Sequence, residues 1–101
     1  MNSTIAIQKA ENAIRSIAEQ TLPHASLVLF GSRARGDAGR RSDFDLAVFP
    51  SEGFETRELL EFSDQLDRSP QIIYPLDIVD TRSASSDLIN KIQKEGRSWK
   101  S

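Results

Sequence analysis

Asp43 and Asp45 stand two positions apart in SDFDLAVF, residues 42–49. If this run is a strand, positions i and i+2 share a face, with Cα atoms about 6.5 Å apart. Two carboxylates on one face can share or bridge hard cations, and a two-metal site that moves phosphoryl groups needs cations about 3.5–4 Å apart on oxygen ligands. Mg²⁺ takes only one or two protein carboxylates and leaves its other positions to water and phosphate oxygens. An isolated Asp-x-Asp has a plainer use, with Asp43 as a turn residue and Asp45 as a solvated side chain. That use leaves Asp45 unexplained, because it shares its face with the apolar Ala47 and Phe49.

Gly31-Ser32 follows the apolar run Ser26-Leu27-Val28-Leu29-Phe30. Glycine lets a backbone approach a ligand closely, and unpaired N–H groups opening a helix attract anions, so the pair suits a phosphate. The alternative is an ordinary strand-to-helix turn with Ser32 as N-cap. Gly31 and Gly36 have Walker A spacing, yet Asp37 and Ala38 stand where that motif requires Lys and Ser or Thr, so a P-loop is excluded. Arg33, Arg35, Arg40 and Arg41 surround the aspartates, and guanidinium forks match triphosphate oxygens. Two or more of these four are expected to be solvated charges, and Arg33 is the first choice for a phosphate contact.

Asp77 interrupts Leu76-Asp77-Ile78-Val79, as an edge-strand charge or as a ligand facing a site. Asp80 reads as a turn or capping residue. His24, with no second His or Cys to complete a metal set, reads as a loop residue, and Trp99 as a ring packed on the domain.

These residues need a scaffold. Ile7, Ala10, Ile14, Ile17 and Thr21 recur at helical spacing and Pro23 ends the pattern, which predicts a helix over about residues 4–21. Strands are expected at 26–30, buried on both faces, at 44–49, stopped by Pro50, and at 76–79, entered through Pro75. Leu59, Phe62 and Leu66 mark a helix over 57–66; Leu88, Ile89 and Ile92 mark another over 86–95, followed by Gly96 as its C′ residue. The order is α-β-(short α)-β-α-β-α, an α/β domain of two or three layers around a mixed three-stranded sheet. If the first two strands pair antiparallel, the end of the first lies beside Asp43 and Asp45, bringing phosphate cradle and carboxylates to one sheet edge.

A chain of 101 residues is expected to form one domain, residues 1–101. With 13 basic against 15 acidic residues its formal charge is -2, so it has no global field for binding nucleic acid, and polyanion binding must be local. The absence of cysteine excludes disulfides and thiolate metal sites, and neither a signal peptide nor a membrane span is evident. A soluble cytoplasmic protein is expected.

The pattern G-S-x10-D-x-D, written here as GSRARG and SDFDLAVF, with a later strand aspartate in PLDIVD and a closing helix in KIQKEGRSW, resembles the minimal nucleotidyltransferase family of the DNA polymerase β-like superfamily. The resemblance covers nearly the whole chain. It implies the nucleotidyltransferase fold, with Asp43, Asp45 and Asp77 as catalytic and metal residues for a two-ion Mg²⁺ site. It implies nucleotide binding through Gly31, Ser32 and Arg33, with ATP as donor; in larger members the third aspartate helps activate the acceptor hydroxyl. Larger relatives add a domain that holds the acceptor, for which this chain has no room. Minimal members in prokaryotes commonly serve as antitoxins of a HEPN-domain toxin, a helical ribonuclease. The resemblance therefore implies AMP transfer to a tyrosine of such a partner within a homo- or hetero-oligomer. Two alternatives stand beside it: a non-catalytic antitoxin that neutralises the toxin by contact, and a transferase for a small-molecule hydroxyl of the aminoglycoside kind.

Overall fold

The computed structural model describes residues 3–39 and 41–101. Its elements are α1 (Ser3–Thr21), β1 (Ala25–Phe30), α2 (Ser32–Arg35), β2 (Phe44–Pro50), α3 (Thr56–Arg68), β3 (Leu76–Asp80), a 3-10 turn (Thr81–Ser83), α4 (Ser86–Glu95) and β4 (Arg97–Lys100). The strands form one mixed sheet in the order β3-β2-β1-β4. β1 runs antiparallel to both β2 and β4, and β2 runs parallel to β3.

The sheet therefore has four strands where three are expected. β4 carries no alternating apolar pattern, and its sequence Arg-Ser-Trp-Lys does not announce a strand. It forms because β1 would otherwise present an open edge of backbone N–H and C=O groups. Residues 97–100 satisfy that edge, with a register irregularity between Leu27 and Val28. Pro50 is included in β2 rather than stopping it.

Strand alternation divides the core between the two faces. Leu27 and Leu29 of β1 and Phe44, Leu46 and Val48 of β2 pack on Ala10, Ile14 and Ala18 of α1 and on Phe62 and Leu66 of α3. Phe30 and Ala47 turn the other way and pack with Ile92 of α4, with Val28, Phe49, Val79 and Leu88 around them. α4 covers the second face only partly, so Ser26 and Val28 are half-buried and β1 is not fully enclosed on both faces as expected.

Gly96 follows α4 as expected, but for a different reason. Its φ is -74°, which any residue can adopt. What it supplies is space: a Cβ there would fall on the Val28 side chain and crowd the Leu29 carbonyl at 3.3 Å. Asp80 caps the 3-10 turn, its carboxylate accepting from the Arg82 backbone N–H at 3.0 Å.

Candidate active site

At the end of β1 the chain must turn sharply to meet α2, and Gly31 makes that turn with a φ of +75°, a conformation that side-chain-bearing residues rarely adopt. Gly31, rather than Ser32, occupies the N-cap position of α2. A second constraint falls on the same residue. A Cβ at Gly31 would collide with the Asp45 carboxylate. The glycine thus lets the backbone of the Gly-Ser turn lie directly against the acidic side chain.

The β1–β2 register explains this contact, since Phe30 pairs with Asp45. On the other side of β2, Asp45 pairs in register with Asp77 of β3, and parallel neighbours in register share a face. Asp43 immediately precedes β2, and Pro75 ties this end of the sheet by accepting from the Phe44 N–H at 3.0 Å. Asp43 and Asp77 are exposed and Asp45 is half-buried. Gly31, Ser32, Asp43, Asp45 and Asp77 therefore come together at one sheet edge, as the sequence leads one to expect.

Burial pushes the Asp45 carboxyl above its ordinary range, and the charges of Asp77 and Asp43 push it further, against smaller opposing contributions from Lys91 and Arg35. Among the described residues none of the three carboxylates has a hydrogen-bond or ion-pair partner. Among the same residues no three acidic or histidine side chains close around one ion position. The hard oxygen donors nonetheless suit Mg²⁺, which needs only one or two of them at a time. Their mutual repulsion is what a divalent cation would relieve.

The arginines separate by face. Arg33 lies over the ring of Phe44, at 4.3 Å, and over that of Tyr74, at 4.9 Å, on the side of the sheet packed by α1 and α3. Its Nε and Nη2 both donate to the Ser42 carbonyl, at 2.9 and 2.6 Å. The expected first choice for a phosphate contact is thus occupied behind the carboxylates. Arg35 reaches the other way, donating from Nη1 to Glu95 of α4 at 3.1 Å and from Nε to Asp37 at 3.1 Å. Arg41 is exposed, and Arg40 lies outside the described residues. Arg35, one of the four arginines matched to phosphate in the sequence, and Lys91, which was not among the candidates, are cations whose charge reaches Asp45. Helix periodicity alone could not show that α4 lies across this face.

His24 is more than a loop residue. Its backbone N–H and Nδ1 both donate to the buried Glu58, at 3.1 and 2.8 Å, and the Glu55 N–H donates to Glu58 at 3.3 Å. The pair joins the turn before β1 to the start of α3, away from the three aspartates. A cavity of about 420 Å³, lined by Ser26, Phe49, Gln93 and Ser98 among others, opens at the far end of the α4 face and includes none of them.

A mixed sheet with a Gly-Ser strand end seated against paired strand carboxylates is the nucleotidyltransferase fold. The family model for polymerase β nucleotidyltransferases matches residues 12–100, and the chain belongs to that family. It is 31% identical over 91 residues to the protein adenylyltransferase MntA of Shewanella oneidensis, covering 89% of this chain and 64% of that one, so it spans just under two thirds of that relative's length. A crystal structure of a toxin-antitoxin with AMP-PNP superposes with a TM-score of 0.69 at 29% identity, over 88% of this chain and 71% of that one. The tri-AMPylated HEPN toxin of Shewanella oneidensis in complex with MNT antitoxin gives a TM-score of 0.63 at 26% identity, over 91% and 70% of the two chains. Among the described residues no helix is long and apolar enough to cross a membrane.

Proposed function

We propose that this domain transfers AMP from ATP, with Mg²⁺, to a hydroxyl of a partner protein, and that the partner is a HEPN-domain toxin silenced by the transfer in the cytoplasm. The observation that carries this reading is the Asp45 carboxylate lying on Gly31 with Asp77 in register beside it. It puts the bare backbone of the Gly-Ser turn next to acidic oxygens, with Asp77 exposed beside them. The 31% identity to a protein adenylyltransferase supports the donor and acceptor classes.

Asp43 and Asp45 hold the cation, and Gly31 and Ser32 approach the phosphates. Mg²⁺ would supply charge neutralisation for the triphosphate and acidify the acceptor hydroxyl. Asp77, exposed on the open side of the pair, orients that hydroxyl and accepts its proton. The acceptor oxygen forms a bond to the α-phosphorus as the bond to the pyrophosphate oxygen breaks, and pyrophosphate leaves. Lys91, whose positive charge acts at Asp45, would offset the charge that develops on the leaving group.

Transfer of label from α-³²P-ATP into proteins of a native-host lysate tests the reading. One labelled protein with wild type and none with Asp43→Asn/Asp45→Asn is the expected result. Labelling that survives the double substitution would overturn the site. No labelled protein or small molecule with any nucleotide would leave an antitoxin that acts by contact.

A further inference from the structure

We infer that Arg33 is a positioning residue: it grips the Ser42 carbonyl from behind the sheet and thereby sets the backbone that presents Asp43. This rests on the transferase reading above and deepens it.

Three observations converge. First, Arg33 is on the wrong side of the sheet to meet a nucleotide. Adjacent strand residues point to opposite faces, so Phe44, which Arg33 covers, faces α1 and α3 while Asp45 faces α4. Second, its guanidinium is held by two rings and one carbonyl. It lies against the rings of Phe44 and Tyr74, 4.3 and 4.9 Å from their centroids, where the two rings meet edge-to-face at 5.7 Å. Two of its three nitrogens converge on one carbonyl oxygen at 2.9 and 2.6 Å. Third, that carbonyl belongs to the peptide joining Ser42 to Asp43, the last link before a metal-binding carboxylate.

The segment needs such a hold. Residues 37–39 and 42–43 have no regular structure, and among the described residues Ser42 is otherwise tied by reciprocal hydrogen bonds with Gly39, at 2.8 and 3.2 Å. Arg33 also stands in α2, the turn opened by Gly31, so one side chain links the phosphate-facing backbone to the loop that delivers the carboxylate. Displacements of about 1 Å in a reacting geometry are enough to cost a hundredfold in rate. A lysine keeps the charge but lacks the planar fork needed to lie against two rings and donate twice to one oxygen.

The test compares wild type, Arg33→Lys and Tyr74→Leu by amide hydrogen exchange over residues 41–43 and by steady-state transfer kinetics. Both variants are expected to speed exchange there, about tenfold in Arg33→Lys and less in Tyr74→Leu. In the kinetics, kcat should fall about 10–100-fold with the KM for ATP moving by less than about threefold, as expected when an interaction that orients a reacting group is lost. Unchanged exchange in both variants would overturn the inference. So would a tenfold rise in KM with kcat intact, which is the signature of a triphosphate ligand. The exchange measurement needs no transfer activity, so it decides the role of Arg33 even if the transferase reading fails.

Discussion

Two requirements compete at Asp45. The proposed chemistry needs a carboxylate beside Gly31, while stability disfavours a half-buried negative charge next to Asp43 and Asp77. Removing that charge should therefore separate function from stability. Asp45→Asn is expected to abolish transfer and to raise the melting temperature of the metal-free protein, whereas added Mg²⁺ should raise the melting temperature of wild type and not of the variant. Scanning calorimetry with and without Mg²⁺ reads both effects.

Glu58 shows the opposite balance. Burial pushes its carboxyl up, but hydrogen bonds from the His24 ring, the His24 N–H and the Glu55 N–H, with the charge of His24, bring it below the ordinary value. A depressed carboxyl stabilises the fold above its unfolded pKa, and that contribution is lost as pH falls through the folded one. Wild type should thus lose melting temperature as the pH is lowered below about 5, and Glu58→Gln should start lower and change less over that range. Melting curves between pH 7 and pH 3 check this.

Elements were legible in the sequence wherever a period was strong. The α1 pattern ends at Thr21 as expected, and there its hydroxyl donates back to the Ile17 carbonyl at 2.8 Å. The apolar runs of β1, β2 and β3 were visible for the same reason. Gly96 was visible as a helix terminator, but its close contact with Val28 was not, because it depends on where α4 returns to the sheet. This gives an element-scale prediction. Gly96→Ala leaves the backbone conformation accessible yet overpacks the junction of α4 and β4, and should cost about 1–3 kcal/mol in denaturant unfolding.

At the scale of the whole molecule, what could not be read were the pairings between distant segments: β4 with β1, His24 with Glu58, and Arg33 with Ser42. Each depends on a partner fixed by tertiary packing, and none has a local period. The three aspartates were legible because spacing on strands carries their geometry, whereas the facing of Arg33 and Arg35 required the sheet itself. Trp99 illustrates the reach of these pairings. Its ring packs 6.2 Å from Phe44 and beneath the Arg15 guanidinium at 5.7 Å, so it braces the ring that supports Arg33. Trp99→Ala is expected to destabilise by about 2–3 kcal/mol, in line with losing a large, partly buried aromatic side chain. It should also slow transfer more than its distance from Asp43 would imply, as paired unfolding and rate measurements would show.

The position of β4 also bears on how the chain reaches its native state. β1 takes its second neighbour from a segment about 70 residues further on, where Val28 meets Ser98. Closing so long a loop is entropically costly before any contact repays it, so this pairing belongs late in folding. Until then one edge of β1 stays open to solvent. A chain held at that stage, by dilute denaturant or by a proline at Ser98, offers the apolar strand Leu27-Val28-Leu29 to whatever strand is nearest, and the competitor to correct folding is edge-to-edge association of two such intermediates.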